Sequence, residues 1–271
     1  MADDHPGPDW ADHALALARV VGGEMQALRS RLMAASDKGG ADVVTLADRH
    51  AEDRLTAALA ARHPGHRIAG EEGTVLGPPG SDWCWHVDPL DGTANYSRAL
   101  PCWSLSLGLA FRGEPVLGVI HAPDLGLSVA GGPGLGVRDG AGRDLVLGPA
   151  DPEPKRWIVA TDWPWALDER ALTQRLLDRL APMIRQYKTH GSAAVELMFL
   201  ALGRVDAYAI SKVFPWDVCA GVAIARTLGC SIHAWDGTPW ALVRERGDIL
   251  ACRPGSAETM TAMARAAWPA G

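Results

Sequence analysis

Two acids stand three residues apart in Asp88-Pro89-Leu90-Asp91-Gly92-Thr93, at the end of the apolar run Trp83-Cys84-Trp85-His86-Val87. Carboxylates this close repel each other unless positive charge lies between them. Pro89 has no amide donor and fixes its own φ, so the chain is expected to leave its strand there. Leu90 would then turn its carbonyl to the same side, Asp91 would return a second carboxylate, and Gly92 would permit a sharp bend. Thr93 and Ala94 are expected to open a helical turn whose N–H groups hold an anion. Two carboxylates and a carbonyl make an all-oxygen donor set, which suits a hard divalent cation such as Mg²⁺. A phosphate could bridge that cation to the turn. The plainer alternative is an Asx-type turn with two solvated acids.

Further acids stand elsewhere. Gly70-Glu71-Glu72-Gly73 follows a strand-like segment, and adjacent acids usually point apart, so one could enter a site; a solvated loop is the alternative. Asp217, in Phe214-Pro215-Trp216-Asp217, opens a helical pattern, where it either caps the helix or presents a rigid carboxylate to a second cation. His86 and His190 lie near these segments and read as packing or loop residues. The glycine-rich stretch 131–142 does not open a helix and lacks a Lys-Ser/Thr ending, so a hairpin is expected rather than a nucleotide loop.

The elements that must position these acids can be read from periodicity. Residues 9–35 carry helical spacing, with a possible break at Gly22-Gly23, and a second helix is expected from about 45 to 62. Strand-like runs follow at 67–70, 83–88, 104–111, 115–122 and 127–130, an antiparallel-looking series. The proline-rich segment 148–155 marks a boundary between an N-terminal α+β half (1–150) and a C-terminal α/β half (151–271). At 271 residues the chain fits one large domain or two intimately packed halves. A net charge of −6 without a dense Lys/Arg stripe argues against nucleic acid as a partner. The apolar runs are too short to span a bilayer, and the acidic N-terminus lacks a secretory pattern, so a cytoplasmic location is expected. Five scattered cysteines without a CxxC pair argue against a disulfide framework or a zinc cluster.

The segment from Asp88 to Ala110 resembles the first signature of the inositol monophosphatase family, and Pro215 to Cys230 resembles its second. The segments 42–48, 70–73 and 191–208 resemble further motifs of that family, in family order. The resemblance implies a layered αβαβα sandwich of the inositol monophosphatase and fructose-1,6-bisphosphatase type, commonly a homodimer. It implies two or three Mg²⁺ ions, with Asp88 bridging two, Glu71 and the Leu90 carbonyl on the first, and Asp91 and Asp217 on the second. Glu71 and Thr93 would position an attacking water, with Asp48 accepting a hydrogen bond from the Thr93 hydroxyl. The amides of Gly92 and Thr93, beside Asp91, would hold phosphate. Lys38 resembles a basic residue near a third, weaker metal site. Gly191, Ser192 and Ala193 would border the substrate, with Ile210, Lys212 and Asp217.

The implied activity is Mg²⁺-dependent, Li⁺-sensitive hydrolysis of a small phosphate monoester. Ile210 stands where inositol enzymes often carry an acid that bonds ring hydroxyls, so histidinol phosphate or a specialised sugar phosphate is an alternative substrate. Lys212 is either solvated or a recognition cation, and Trp163 and Trp165 could roof the pocket. A catalytically silent metal- or phosphate-binding regulator is the alternative outside enzymes.

Overall fold

The computed structural model describes residues 6–35, 41–164, 166–243 and 245–267, with all their side chains except those of 31–35 and 41–45. Two helices open the chain, α1 (Pro8–Ala35) and α2 (Ala41–Arg62). Ala11, Ala14, Ala18, Val21 and Met25 fall on one face of α1, and Ala47, Ala51, Leu55 and Leu59 form the matching stripe of α2. The helix α1 runs unbroken through Gly22-Gly23. Gly22 serves packing instead: a β-carbon there would lie 2.8 Å from Pro123, whereas Gly23 faces open space.

These helices cover one face of a seven-stranded sheet made of β1 (Arg67–Gly70), β2 (Val75–Leu76), β3 (Trp83–Asp91), β4 (Ser104–Phe111), β5 (Glu114–Ala122), β6 (Leu127–Gly132) and β7 (Gly136–Asp139). The strand order is β2-β1-β3-β4-β5-β6-β7. The expected antiparallel series holds except at the β1–β3 pair, which is parallel. The glycine-rich stretch forms the β6–β7 hairpin. A short helix, α3 (Thr93–Ser97), separates β3 from β4.

The second sheet, ordered β11-β12-β10-β8-β9, contains β8 (Ile158–Thr161), β9 (Gln186–Lys188), β10 (Ala207–Val213), β11 (Ser231–His233) and β12 (Gly247–Cys252). Helices α5 (Ala193–Ala201) and α6 (Pro215–Thr227) lie between the sheets, while α4 (Leu167–Leu180) and α7 (Ala257–Ala267) cover the outer face. Alternation along β10 serves both layers: Tyr208 and Ile210 pack inward with α5 and α6, Ala207 and Ala209 outward with α4 and α7. The result is the expected αβαβα sandwich.

The middle layer sits unusually close to the first sheet. Gly108 and Gly118 face each other across β4 and β5. A β-carbon on Gly108 would come 2.6 Å from the Ala220 amide nitrogen, and one on Gly118 2.0 Å from the Ala220 carbonyl oxygen. The backbone of α6 therefore rests directly on paired glycines, which fixes the helix and the acid near its start.

Candidate active site

β3 does not stop at Pro89 as expected. It continues to Asp91 by way of a bulge: Asp88 pairs with Ser106 and Asp91 with Ser104, so three steps on β3 span two on β4. In a regular strand, residues three apart face opposite sides; one extra residue returns Asp91 to the face of Asp88. The bulge also accommodates the missing amide of Pro89. Asp88 is 1% exposed, and its Oδ1 accepts the Leu90 N–H at 2.9 Å.

Gly92 then adopts φ 89° and ψ 37°. A β-carbon there would lie 2.8 Å from the Cys102 carbonyl, so both backbone and space require glycine. Thr93 opens α3, and its hydroxyl donates to the Leu90 carbonyl at 3.1 Å. The expected bond from Thr93 to Asp48 is therefore not made. A hydroxyl has one proton, and the carbonyl three residues back lies within its local reach.

The other acids are held by helix termini. Asp91 Oδ2 accepts from the Ser192 hydroxyl and the Ala194 N–H, both at 2.6 Å, at the start of α5. Asp217 Oδ2 accepts the Phe214 N–H at 2.8 Å, so it caps α6 with one oxygen. Glu71 follows β1, and its N–H bonds the Val87 carbonyl. Its turn is tied down by Glu52 on α2, which accepts the amides of Glu72 at 2.8 Å and Thr74 at 2.9 Å. Although the Glu71 residue is exposed, its carboxyl hydrogen-bonds Asp88.

This crowding marks the protonation of every member. Burial, then the charges of Glu71, Asp91 and Asp217, push Asp88 well above the usual carboxylate range. Burial of its carboxyl, though not of the residue as a whole, raises Glu71 to about 7. Burial and the neighbouring Asp217 raise Asp91 to about 7, and burial raises Asp217 to about 7. Asp48, buried beside Glu72 and Glu71, rises to about 8. Among the described residues, no three His, Cys, Asp or Glu side chains are arranged to hold a metal ion as they stand. Glu71 and Asp88 bond each other, and Asp91 and Asp217 each spend an oxygen on a helix start. The donor chemistry nevertheless fits a hard divalent cation, being all oxygen and rich in poorly compensated negative charge.

The acids open into a cleft of about 590 Å³. Gly191, Ser192, Ala193, Ile210, Lys212 and Asp217 all line it. Ile210 is 9% exposed and offers an apolar wall. Lys212 is exposed at the rim, where it pairs with Asp168 at 3.0 Å and lies 3.7 Å from Glu169, so it is both solvated and paired. Trp163 joins the lining. Lys38 and Trp165 lie outside the described residues.

Several contributors were missed by reading the sequence. His190, read as a packing or loop residue, lines the cleft and holds Glu196 through Nδ1 at 2.8 Å; that bond raises the imidazole. Asp162 accepts the Gly191 N–H at 2.9 Å and the Tyr208 hydroxyl at 2.8 Å, fixing the loop before α5. Arg246 pairs with Glu169 at 3.1 Å. Only Glu52 had a usable signal: it stands one turn after Asp48, on the same face of α2.

Comparison with known proteins agrees with this geometry. The profile of the Inositol monophosphatase family matches residues 9–270. An inositol-1-monophosphatase of a Synechocystis species is 32% identical over 246 residues, covering 89% of this chain and 84% of that protein. A Vibrio cholerae protein named Nus factor SuhB is 28% identical over 81% of each chain. The solved structure of Mycobacterium tuberculosis SuhB superposes with a TM-score of 0.82 at 26% identity, over 98% of both chains. With the sandwich, the acidic cleft and these relatives in agreement, the chain belongs to the inositol monophosphatase family and is a phosphoric monoester hydrolase.

Proposed function

We propose that this protein hydrolyses a small phosphate monoester of the inositol phosphate type in a Mg²⁺-dependent reaction, with water and not a side chain as nucleophile. Asp88 would bridge two ions, the first also held by Glu71 and the Leu90 carbonyl, the second by Asp91 and Asp217. Lys38 would stand near a third, weaker one. When bound, Mg²⁺ neutralises the phosphoryl oxygens, acidifies water and steadies the leaving oxygen. The observation that carries this reading is Asp88, a buried carboxyl hemmed by three other acids. Such a cluster is costly unless a cation offsets it.

The chain's own residues do the rest. Glu71 and Thr93 would orient the attacking water; because the Thr93 proton goes to Leu90, its oxygen is left to act as an acceptor toward that water. Asp48 acts behind Glu71, shaping the local charge. The amides of Gly92 and Thr93, beside Asp91, hold phosphate. Gly191, Ser192, Ala193, Ile210, Lys212 and Asp217 border the leaving alcohol. Residues 1–150 thus supply most ligands, and 151–271 bring Asp217 and the substrate wall.

A cytoplasmic homodimer, inhibited by Li⁺, completes the reading. No helix among the described residues is long and apolar enough to cross a membrane. Phosphate release from a panel of monoesters, with Mg²⁺ and with chelator, tests the proposal. Release that persists in chelator, or none from any ester, would overturn it. The apolar Ile210 favours, as a second reading, histidinol phosphate or a specialised sugar phosphate over myo-inositol 1-phosphate.

A further inference from the structure

Helix α5 has a single charged side chain, Glu196, and buries it completely. The other residues of α5 belong to the apolar core between the sheets. A carboxyl moved there loses its hydration, which is costly unless partners replace it. Glu196 Oε1 accepts the His190 backbone N–H and the His190 Nδ1–H, both at 2.8 Å, while Oε2 has no hydrogen-bond partner among the described residues. Fastening a loop to a helix needs only an acceptor, and an amide oxygen would serve without a buried charge. What the carboxylate adds is its charge, felt by the imidazole. The bond to Glu196 raises His190, which favours a proton on both ring nitrogens.

The far side of this pair is open. His190 lines the acidic cleft, its side chain is 27% exposed, and its Nε2 has no partner among the described residues. The residue is fixed from two other directions. Asn95 Nδ2 donates to its carbonyl at 2.6 Å, and the ring stands edge-on to Phe199 with centroids 5.0 Å apart. The same loop continues to Ser192, whose hydroxyl donates to Asp91 at 2.6 Å, so His190 stands near the reacting end of the cleft. The Ile210 side chain, elsewhere in the lining, offers no hydrogen bond. A charged N–H is a stronger partner for a hydroxyl oxygen than the neutral Asn95 and Thr189, which share the lining.

Resting on the phosphatase reading above, we propose that His190 donates a hydrogen bond from Nε2 to a hydroxyl of the leaving alcohol, with Glu196 as the buried positioning residue behind it. The substrate class is then a phosphate monoester of a polyol, and His190 is a specificity-determining residue. The contact supplies from the loop before α5 the hydroxyl recognition that the apolar Ile210 side chain does not give. Glu196 fixes the ring through Nδ1 and keeps Nε2 a donor.

The test compares myo-inositol 1-phosphate with cyclohexyl phosphate, the same six-membered ring without its free hydroxyls, using the full chain and Mg²⁺. The two leaving oxygens differ in acidity, so the readout is the kcat/KM ratio of the pair in each variant against that ratio in the parent. His190→Ala should lower the ratio about tenfold, mainly through KM of the polyol ester. His190→Gln keeps a donor near the Nε2 position and should restore part of the ratio. Glu196→Gln keeps an oxygen for Nδ1 but removes the charge, and should lower the ratio in the same direction as His190→Ala. A crystal structure of the parent with myo-inositol 1-phosphate and Ca²⁺ in place of Mg²⁺ gives a readout that needs no variant. His190 Nε2 should lie within about 3.2 Å of a ring hydroxyl. A parent without preference for the polyol ester overturns the assignment and leaves the phosphatase reading intact. So does a ratio unmoved by His190→Ala in a variant that melts like the parent, or a bound ester whose hydroxyls do not reach His190. No hydrolysis of either ester or of any other monoester would sink both.

Discussion

At the scale of single residues, the acids at the site are held in a costly arrangement. Asp88→Asn keeps an oxygen for the Leu90 N–H and removes the most crowded charge. Activity should fall at least about a hundredfold, since loss of a bridging metal ligand removes several kcal/mol of transition-state stabilisation. In chelator the same variant should melt higher than the parent, because repulsion inside the cluster is relieved. A thermal melt beside an assay checks both. Glu52→Gln retains shape but loses charge behind Glu71, and its amide can accept only one of the two turn amides through oxygen. The Mg²⁺ concentration for half-maximal rate should rise about ten- to a hundredfold, with kcat at saturation far less affected. A Mg²⁺ titration of the rate measures that. Asp88, Asp91, Gly92 and Thr93 were legible in the sequence because their chemistry is contiguous. Thr93's partner was not, since whether a hydroxyl bonds a nearby carbonyl or a distant helix depends on side-chain geometry that spacing does not carry. Asp162 was hidden for a similar reason: it is a lone acid whose partner, Tyr208, is set by packing.

At the scale of elements, the register slip in β3 and the glycine floor under α6 bring the acids of the cleft to one face. The slip was misread as a strand end because proline and a bulge give the same sequence signal, and only pairing with Ser106 and Ser104 distinguishes them. Gly118→Ala would place a methyl 2.0 Å from the Ala220 carbonyl oxygen. It should destabilise the protein by about 1–3 kcal/mol through overpacking and lower activity by shifting Asp217. Denaturant unfolding checks the first and a rate assay the second. The pair in α1 should split in sign. Gly23→Ala meets nothing within 4 Å and should stabilise by about 0.5–1 kcal/mol, whereas Gly22→Ala runs into Pro123 and should destabilise. A sequence shows two equivalent glycines there; the sheet beneath makes them different.

At the scale of the whole molecule, the raised acids set how stability responds to pH. Glu71, Asp91 and Asp217 at about 7, and Asp48 at about 8, hold protons in the folded state that the unfolded chain has released. Their contribution is full below about pH 4 and is lost as pH rises through 7 to 8. Buried His63 and half-buried His86 and His121, pushed down to about 4, act oppositely and lose stability as pH falls from about 6.5 through 4. Above pH 6.5 these histidines drop out, so in chelator the melting temperature should fall between pH 6.5 and 8. Saturating Mg²⁺ should flatten that slope by replacing protons with cations. The layered fold behind this behaviour was legible from the order of helical and strand-like segments. The short β9 was not, because Gln186 and Tyr187 are exposed and three residues show no periodicity.

The most direct measurement is the anomalous scattering of Mn²⁺ soaked into crystals in place of Mg²⁺. The expected result is a pair of peaks sharing Asp88, one also ligated by Glu71 and the Leu90 carbonyl, the other by Asp91 and Asp217. Full phosphatase activity in Mn²⁺ with no peak at Asp88, or with peaks that these acids do not ligate, would contradict it.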